Sequence, residues 1–340
     1  MVFLRLIPHS PIHIGYGETG MLGYDFVVKD KYAYRIDINK VVERIQNDER
    51  EIDALVKKML NPRNFAMSDY LSHKGIKPED VFSYKIQAFV QTARNTYTVH
   101  FFLKDPLNQV YIPGSTLKGA IKTQYGARKA NSNQVAQDDC NKLVSKQWDV
   151  LFTNKERSKH PLIRDSERRD ASTALVLSPF EIHAERNSEI RCQQQRIYAE
   201  FIGVENNFQT EVAGIEENKL KEILQSASEH ARKLVDFECD FFEKYGKDEE
   251  YDDVVNFYTQ LANVSDGGYL LRIGSGSSFL SSSLLAILAF ENYQSWQEEF
   301  RRILPKRRSR DARTIPNSRK LVRYNNKLYP PGWVEIRLED

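Results

Sequence analysis

The stretch Tyr111-Ile112-Pro113-Gly114-Ser115-Thr116-Leu117-Lys118-Gly119-Ala120-Ile121-Lys122-Thr123 constrains this chain more than any other. A short apolar strand runs into Pro-Gly, and a Ser-Thr pair then opens a helix. Hydroxyl side chains at a helix start accept hydrogen bonds from backbone N–H groups that lack an intrahelical partner. The same N–H groups and the positive end of the helix dipole attract anions. Lys118 stands in the first turn, where the dipole disfavours a cation, and Lys122 follows one turn later on the same face. An anion held between dipole and lysines explains this placement. An ordinary amphipathic helix with solvated lysines fits the spacing as well. Gly114 and Gly119 have the separation of a nucleotide-binding P-loop. Ala120 and Ile121 stand where that loop needs Lys and Ser/Thr, which argues against an NTPase.

Strand–loop–helix order recurs near residue 270. A strand over 269–273 enters Leu271-Arg272-Ile273-Gly274-Ser275-Gly276-Ser277-Ser278-Phe279, and an apolar helix is expected over 280–291 with Ser277 or a neighbour as its cap. Alternating apolar residues predict strands at 2–7, 25–36, 84–90, 96–103, 109–112, 174–184, 190–203, 207–214 and 333–338. Helical spacing predicts helices at 38–46, 49–60, 115–130, 133–145, 220–245 and 251–263. This is an α+β pattern, and its first half suits a ferredoxin-like unit with inserted helices. The polar, poorly periodic residues 131–160 read as an insertion or mobile loop, and a second unit is expected to start near Leu162, which gives one unit over 1–160 and another over 161–340.

No apolar run reaches membrane-spanning length, so no membrane association is expected. The chain opens on strand-like Val2–Ile7, so no signal peptide is expected. Cys140, Cys192 and Cys239 form no CxxC pair and no zinc spacing, and the seven histidines form no HExxH. The expectation is a reducing, cytoplasmic setting with no metal and no cofactor. The net charge of +2 conceals segregation. Residues 301–323 hold ten Arg or Lys against one acid, whereas residues 216–253 hold thirteen acids against six Lys or Arg. The basic segment fits a polyanion partner, or else a solvated loop. Mutual repulsion and few apolar residues predict that 305–323 orders only in an assembly.

The Tyr-Ile-Pro-Gly-Ser-x-Leu-Lys-Gly-Ala form resembles the signature of the RAMP superfamily of CRISPR proteins, specifically subunits of type III effector complexes. Pro11-Ile12-His13-Ile14-Gly15-Tyr16-Gly17 resembles the superfamily's turn after its first strand. Residues 271–279 resemble its glycine-rich loop, with Ser275 and Ser278 where an aromatic residue or a further glycine is common. Pro316-Asn317-Ser318-Arg319-Lys320-Leu321 and Pro331-Gly332-Trp333-Val334 resemble the C-terminal pattern of the fifth-subunit family of type III-A (Csm) complexes. The resemblance implies two ferredoxin-like (RRM-like) units with helical insertions. It implies a non-catalytic subunit that caps the 3′ end of CRISPR RNA (crRNA) and supports its maturation in antiviral defence. Implied partners are crRNA, a backbone RAMP subunit, the small helical subunit and recruited host nucleases. RNA contacts are then expected from His13, Gly15 and Gly17; from Ser115, Thr116, Lys118 and Lys122; from Arg164; from Arg272, Gly274, Gly276 and Ser277; and from Arg307, Arg308, Arg319 and Lys320.

Three other readings stay open on the residues. Superfamily endoribonucleases use a histidine as base on the ribose 2′-OH, which makes His13 a candidate. Flanked by Ile12 and Ile14, it reads better as a ring that bonds the backbone and shapes the turn. The fourth Csm subunit, or its Cmr-complex equivalent, is the alternative within the superfamily, and the Pro-Gly-Trp segment argues against it. A protein scaffold that touches no RNA is the remaining possibility. Asp165, in Leu162-Ile163-Arg164-Asp165-Ser166, is expected to cap the turn that follows it rather than to cut RNA. Asp252-Asp253 and Asp266-Gly267-Gly268 do not form the Gly-Gly-Asp-Asp hairpin needed for nucleotide polymerisation.

Overall fold

The computed structural model describes residues 1–46, 48–61, 65–90, 97–132, 162–193, 197–264, 267–277, 279–282 and 317–339. The strands are β1 (Val2–Pro8), β2 (Gly15–Met21), β3 (Phe26–Lys29), β4 (Tyr32–Ile36), β5 (Phe82–Ala88), β6 (Thr98–Phe102), β7 (Gln109–Val110), β8 (Leu162–Ile163), β9 (Arg169–Asp170), β10 (Leu175–Arg186), β11 (Glu189–Gln193), β12 (Ile197–Ile202), β13 (Phe208–Ala213), β14 (Tyr269–Arg272), β15 (Ser318–Tyr324), β16 (Lys327–Tyr329) and β17 (Trp333–Glu339). The helices are α1 (Ile38–Arg44), α2 (Glu49–Met59), α3 (Met67–His73), α4 (Gly114–Ser132), α5 (Ala171–Ala174), α6 (Glu217–Tyr245), α7 (Asp252–Ala262) and α8 (Phe279–Ser282).

Two main sheets organise these elements. One runs β14-β17-β1-β13-β8, and the other runs β2-β6-β12-β10-β5-β4-β3, with β11 and β15 added along the far half of β10. In β1, Val2, Leu4 and Leu6 point into the core while Phe3 and Arg5 face out, the period-two pattern of a strand covered on one side. Their cover is α4 and α6. Leu220, Leu224, Ala227, Ala231, Leu234 and Val235 form the buried stripe of α6. The two sheets and their helices give the α+β architecture expected of ferredoxin-like units. A division at residue 160 cuts through both sheets, because β1 pairs with β13 and β17, and β5 with β10.

Several elements differ from the sequence reading for local reasons. The strand expected over 25–36 is a hairpin that turns at Asp30, whose φ of 56° is tolerated by a short polar side chain. The strand expected over 190–203 is two strands, β11 and β12. The glycine-rich turn after β1 continues as β2, and α3 was not foreseen. In the basic segment, residues 318–323 belong to β15, paired with β10 and β16, so here the expectation of disorder fails. Leu321 and Val322, both fully buried, supply the apolar anchor that the charge count obscured. The helix expected at 133–145, most of that at 280–291 and residues 305–316 lie outside the described residues.

Candidate nucleic-acid interface

Three motifs far apart in sequence meet through backbone hydrogen bonds. The Ser275 N–H donates to the His13 carbonyl at 2.7 Å, and the Gly332 N–H to the Pro11 carbonyl at 3.0 Å. The Ile273 N–H donates to the Gly332 carbonyl at 2.7 Å, which closes the set. Glycine is required where these segments touch. A Cβ on Gly274, whose φ is +77°, would sit 2.5 Å from the His13 carbonyl oxygen. Around this junction Gly15, Gly17 and Ser275 remain exposed, while Gly276 is buried and Gly274 and Ser277 are half-buried. The Ser277 hydroxyl donates to the Gly274 carbonyl at 2.7 Å, so it tightens the loop, whereas the expected cap would accept from helix N–H groups.

The signature helix α4 starts at Gly114, and its first N–H donates to the Asp165 carboxylate at 3.0 Å. The Ile112 N–H donates to the Ser166 hydroxyl at 2.8 Å, and the Ser166 N–H returns to the Ile112 carbonyl at 2.9 Å. Asp165 and Ser166 therefore clamp the Pro-Gly step from 51 residues and more downstream. Asp165 caps this helix, not the turn after itself, and one anion at the helix start belongs to the chain. The helix then crosses its sheet: Gly114 lies against Ile163 at the β8 edge, and the Gln124 amide donates to the Arg272 carbonyl at the β14 edge. Ser115 is exposed at the start of α4, and Thr116, Lys118 and Lys122 are half-buried along it.

His13 is 3% exposed, and its Nδ1–H donates to the Glu200 carbonyl at 2.7 Å. Its Nε2 would lie 2.9 Å from a Cβ on Gly15, which explains that glycine. The ring is thus enclosed by its own turn and by β12, out of reach of a ribose. Glu200, fully buried, accepts from the Tyr84 hydroxyl at 2.6 Å, from the Phe102 N–H at 2.8 Å and from the Lys104 ammonium. This network was not visible as a sequence motif; a lone glutamate among apolar residues in Ile197–Ile202 was its only signal.

Burial holds His13 down to about 4, and His230 in α6 likewise to about 4. Between about pH 6.5 and about pH 4 the unfolded chain binds protons that the native rings refuse. Stability should therefore be intact above about pH 6.5 and fall as pH drops, by about tenfold in the folding equilibrium per pH unit per histidine. Urea unfolding across this window, with His230→Leu reducing the slope, checks this; a flat profile would show the rings to be open to water.

The basic candidates separate by burial. Arg272 is buried, donates from Nε to the Pro331 carbonyl at 3.1 Å and lies over the Trp333 ring. Arg319 is 4% exposed, ion-paired with the fully buried Glu238, with its guanidinium 4.0 Å from the Phe241 ring centroid. Both act inside the protein rather than as surface cations. Arg164 is exposed and pairs with Glu211 at 3.0 Å. Lys320 is exposed, with its ammonium over the Phe180 ring. Arg307 and Arg308 lie outside the described residues. No helix among the described residues is long and apolar enough to cross a membrane.

The fold and its motif junction define an α+β protein built around a strand-Pro-Gly-helix signature and a glycine-rich loop. Residues 5–279 match the family model of the RAMP superfamily, and the chain belongs to that superfamily. Over 120 residues it is 32% identical to the CRISPR system Cms protein Csm5 of Methanocaldococcus jannaschii, covering 34% of this chain and 28% of that protein. Over 131 residues it is 32% identical to the Csm5 protein of Streptococcus thermophilus, covering 35% of this chain and 36% of that one. The chain thus spans about a third of the length of these curated relatives. Among solved structures, a chain in a cryo-EM structure of a Csm–crRNA–target RNA ternary complex from a type III-A CRISPR–Cas system shares the fold, with TM-score 0.70, 22% identity and 100% coverage of both chains. The crystal structure of T. onnurineus Csm5 matches with TM-score 0.66, 20% identity, and 97% and 99% coverage.

Proposed function

We propose that this protein is the fifth, non-catalytic subunit of a type III-A CRISPR effector complex in the cytoplasm, binding crRNA near its 3′ end and supporting its maturation. Its partners are a backbone RAMP subunit and the small helical subunit, and host nucleases are recruited for trimming. The observation that carries this reading is the signature helix α4. Its exposed start and its two lysines one turn apart lie on a frame whose glycine-rich loop and first turn leave backbone open to solvent. Such a surface holds phosphates by charge and backbone amides, with little need to read base edges. Enclosure of the His13 ring favours binding over cleavage. Ser115, Thr116, Lys118, Lys122, Gly15, Gly17, Gly274, Ser277, Arg164 and Lys320 are the contacts we assign to RNA.

The test is a reconstituted complex carrying crRNA with a photoreactive 3′-terminal nucleotide. Wild-type chain should crosslink to that nucleotide. Lys118→Ala with Lys122→Ala should lower the crosslink yield. It should also reduce the salt slope of binding by roughly 0.7 per lost phosphate contact, with the unfolding midpoint little changed because these are not core residues. An unchanged slope would remove α4 from the RNA path, and absence of the crosslink would remove the chain from the 3′ end.

A further inference from the structure

The β10–β11 hairpin brings together three side chains that are dispersed in sequence as Glu181, His183 and Cys192. His183 and Cys192 are direct cross-strand partners in the antiparallel register, and Glu181 precedes His183 by two residues on the same face. The His183 Nε2 lies 3.1 Å from Glu181 Oε2, and the Cys192 Sγ lies 3.9 Å from the same oxygen. All three potential ligand atoms fall within 4.8 Å of one another. With metal–ligand distances of about 2.0–2.3 Å, the edges of a tetrahedral zinc site are roughly 3.3–3.7 Å, so a small inward movement of the thiol completes the triangle.

The surroundings fit a metal ligand set. The His183 ring is fully buried, and its Nδ1 lies 2.9 Å from the Tyr251 hydroxyl. That hydrogen bond fixes the ring and leaves Nε2 facing the carboxylate and thiol, as the outer partner of a metal-bound imidazole does. Arg323 contacts Glu181 at 3.0 and 3.2 Å and Glu250 at 3.0 Å. Two carboxylates around one guanidinium leave one negative charge, and a divalent cation that displaced the Cys192 thiol proton to solvent would be met by a second.

We infer that Glu181 Oε2, His183 Nε2 and Cys192 Sγ form a binding site for a zinc-class divalent cation that pins the β10–β11 hairpin. Thiolate and imidazole select zinc or cobalt over the oxygen-seeking magnesium and calcium. Three protein ligands leave the fourth tetrahedral position to water. The site is independent of the RNA-binding reading, since none of its ligands is among the assigned RNA contacts.

The experiment uses the full chain, stripped with EDTA, kept reduced and titrated with cobalt(II) in the presence of excess magnesium. The expected result is one equivalent of tetrahedral cobalt. It should show visible d–d bands and a near-ultraviolet thiolate-to-cobalt band, both displaced by one equivalent of zinc. Cys192→Ser should abolish the near-ultraviolet band, and Glu181→Gln should weaken binding by about 10- to 100-fold or more. The variant with Cys140 and Cys239 both changed to Ser should retain the spectrum. Cys192 is exposed, so its loss leaves the core intact. As a check on unaltered protein, zinc should protect Cys192 from alkylation while Cys239 stays reactive. No thiolate band in the wild type, a band that survives Cys192→Ser, or alkylation indifferent to zinc would each overturn the site. Glu181 would then serve as the ion-pair partner of Arg323 and the hydrogen-bond partner of His183.

Discussion

Gly276→Val is expected to lose about 2–5 kcal/mol of stability, a large share of the reserve of an ordinary domain. Gly276 has a φ of +94°, which a β-branched residue does not adopt without strain. Its missing Cβ leaves room for neighbours: a Cβ would lie 2.9 Å from the Phe180 ring Cε1 and 2.9 Å from the Pro331 Cγ. Phe180 belongs to β10 and Pro331 precedes β17, so the new side chain would push the two sheets apart at the motif junction. Gly17→Val is the control. Gly17 also has positive φ, +93°, but nothing lies within 4 Å of its Cβ direction. It should lose only the backbone share, about 1–2 kcal/mol. Denaturant midpoints of the two variants measure the difference, and equal losses would show that the contact with Phe180 and Pro331 carries no weight.

Arg319→Met should cost about 3–5 kcal/mol, because it leaves the Glu238 carboxylate buried and unpaired. The double variant Arg319→Met with Glu238→Leu should recover most of that loss, since replacing both members of a buried pair by apolar groups is close to neutral. Neither variant should alter the salt slope of RNA binding, since the guanidinium is enclosed between Glu238 and the Phe241 ring. Unfolding midpoints of the two single variants and the double form the cycle. A stable Arg319→Met protein with weakened RNA binding would return this arginine to the surface role that its sequence neighbourhood suggested.

Much of the architecture is legible without a structure because its signals are local. Val2, Leu4 and Leu6 alternate, and the apolar residues of α6 recur at helical spacing. Pro113-Gly114 followed by Ser115-Thr116 marks the turn and the helix start, although the strand expected up to residue 112 ends at Val110. These patterns depend on residues two to four apart, and the class of fold follows from their order. The same local reading has His13 bonding the backbone, as it does, because apolar neighbours on both sides draw it inward; that burial also withdraws its ring from the RNA contacts that the resemblance implies.

What the tertiary structure decided lies in contacts between distant residues, where local pattern has no information. Arg319 and Lys320 are adjacent and chemically alike, yet strand alternation in β15 turns one into the core and the other outward. Asp165 serves a helix that begins 51 residues earlier, which no spacing rule connects. Glu181 and His183 look like the solvent face of a half-buried strand until β11 sets Cys192 opposite His183 and Tyr251 closes over the imidazole. Alternation specified which face each side chain occupies. Only the register of the strands and the packing of β15 and Tyr251 decided what that face would meet.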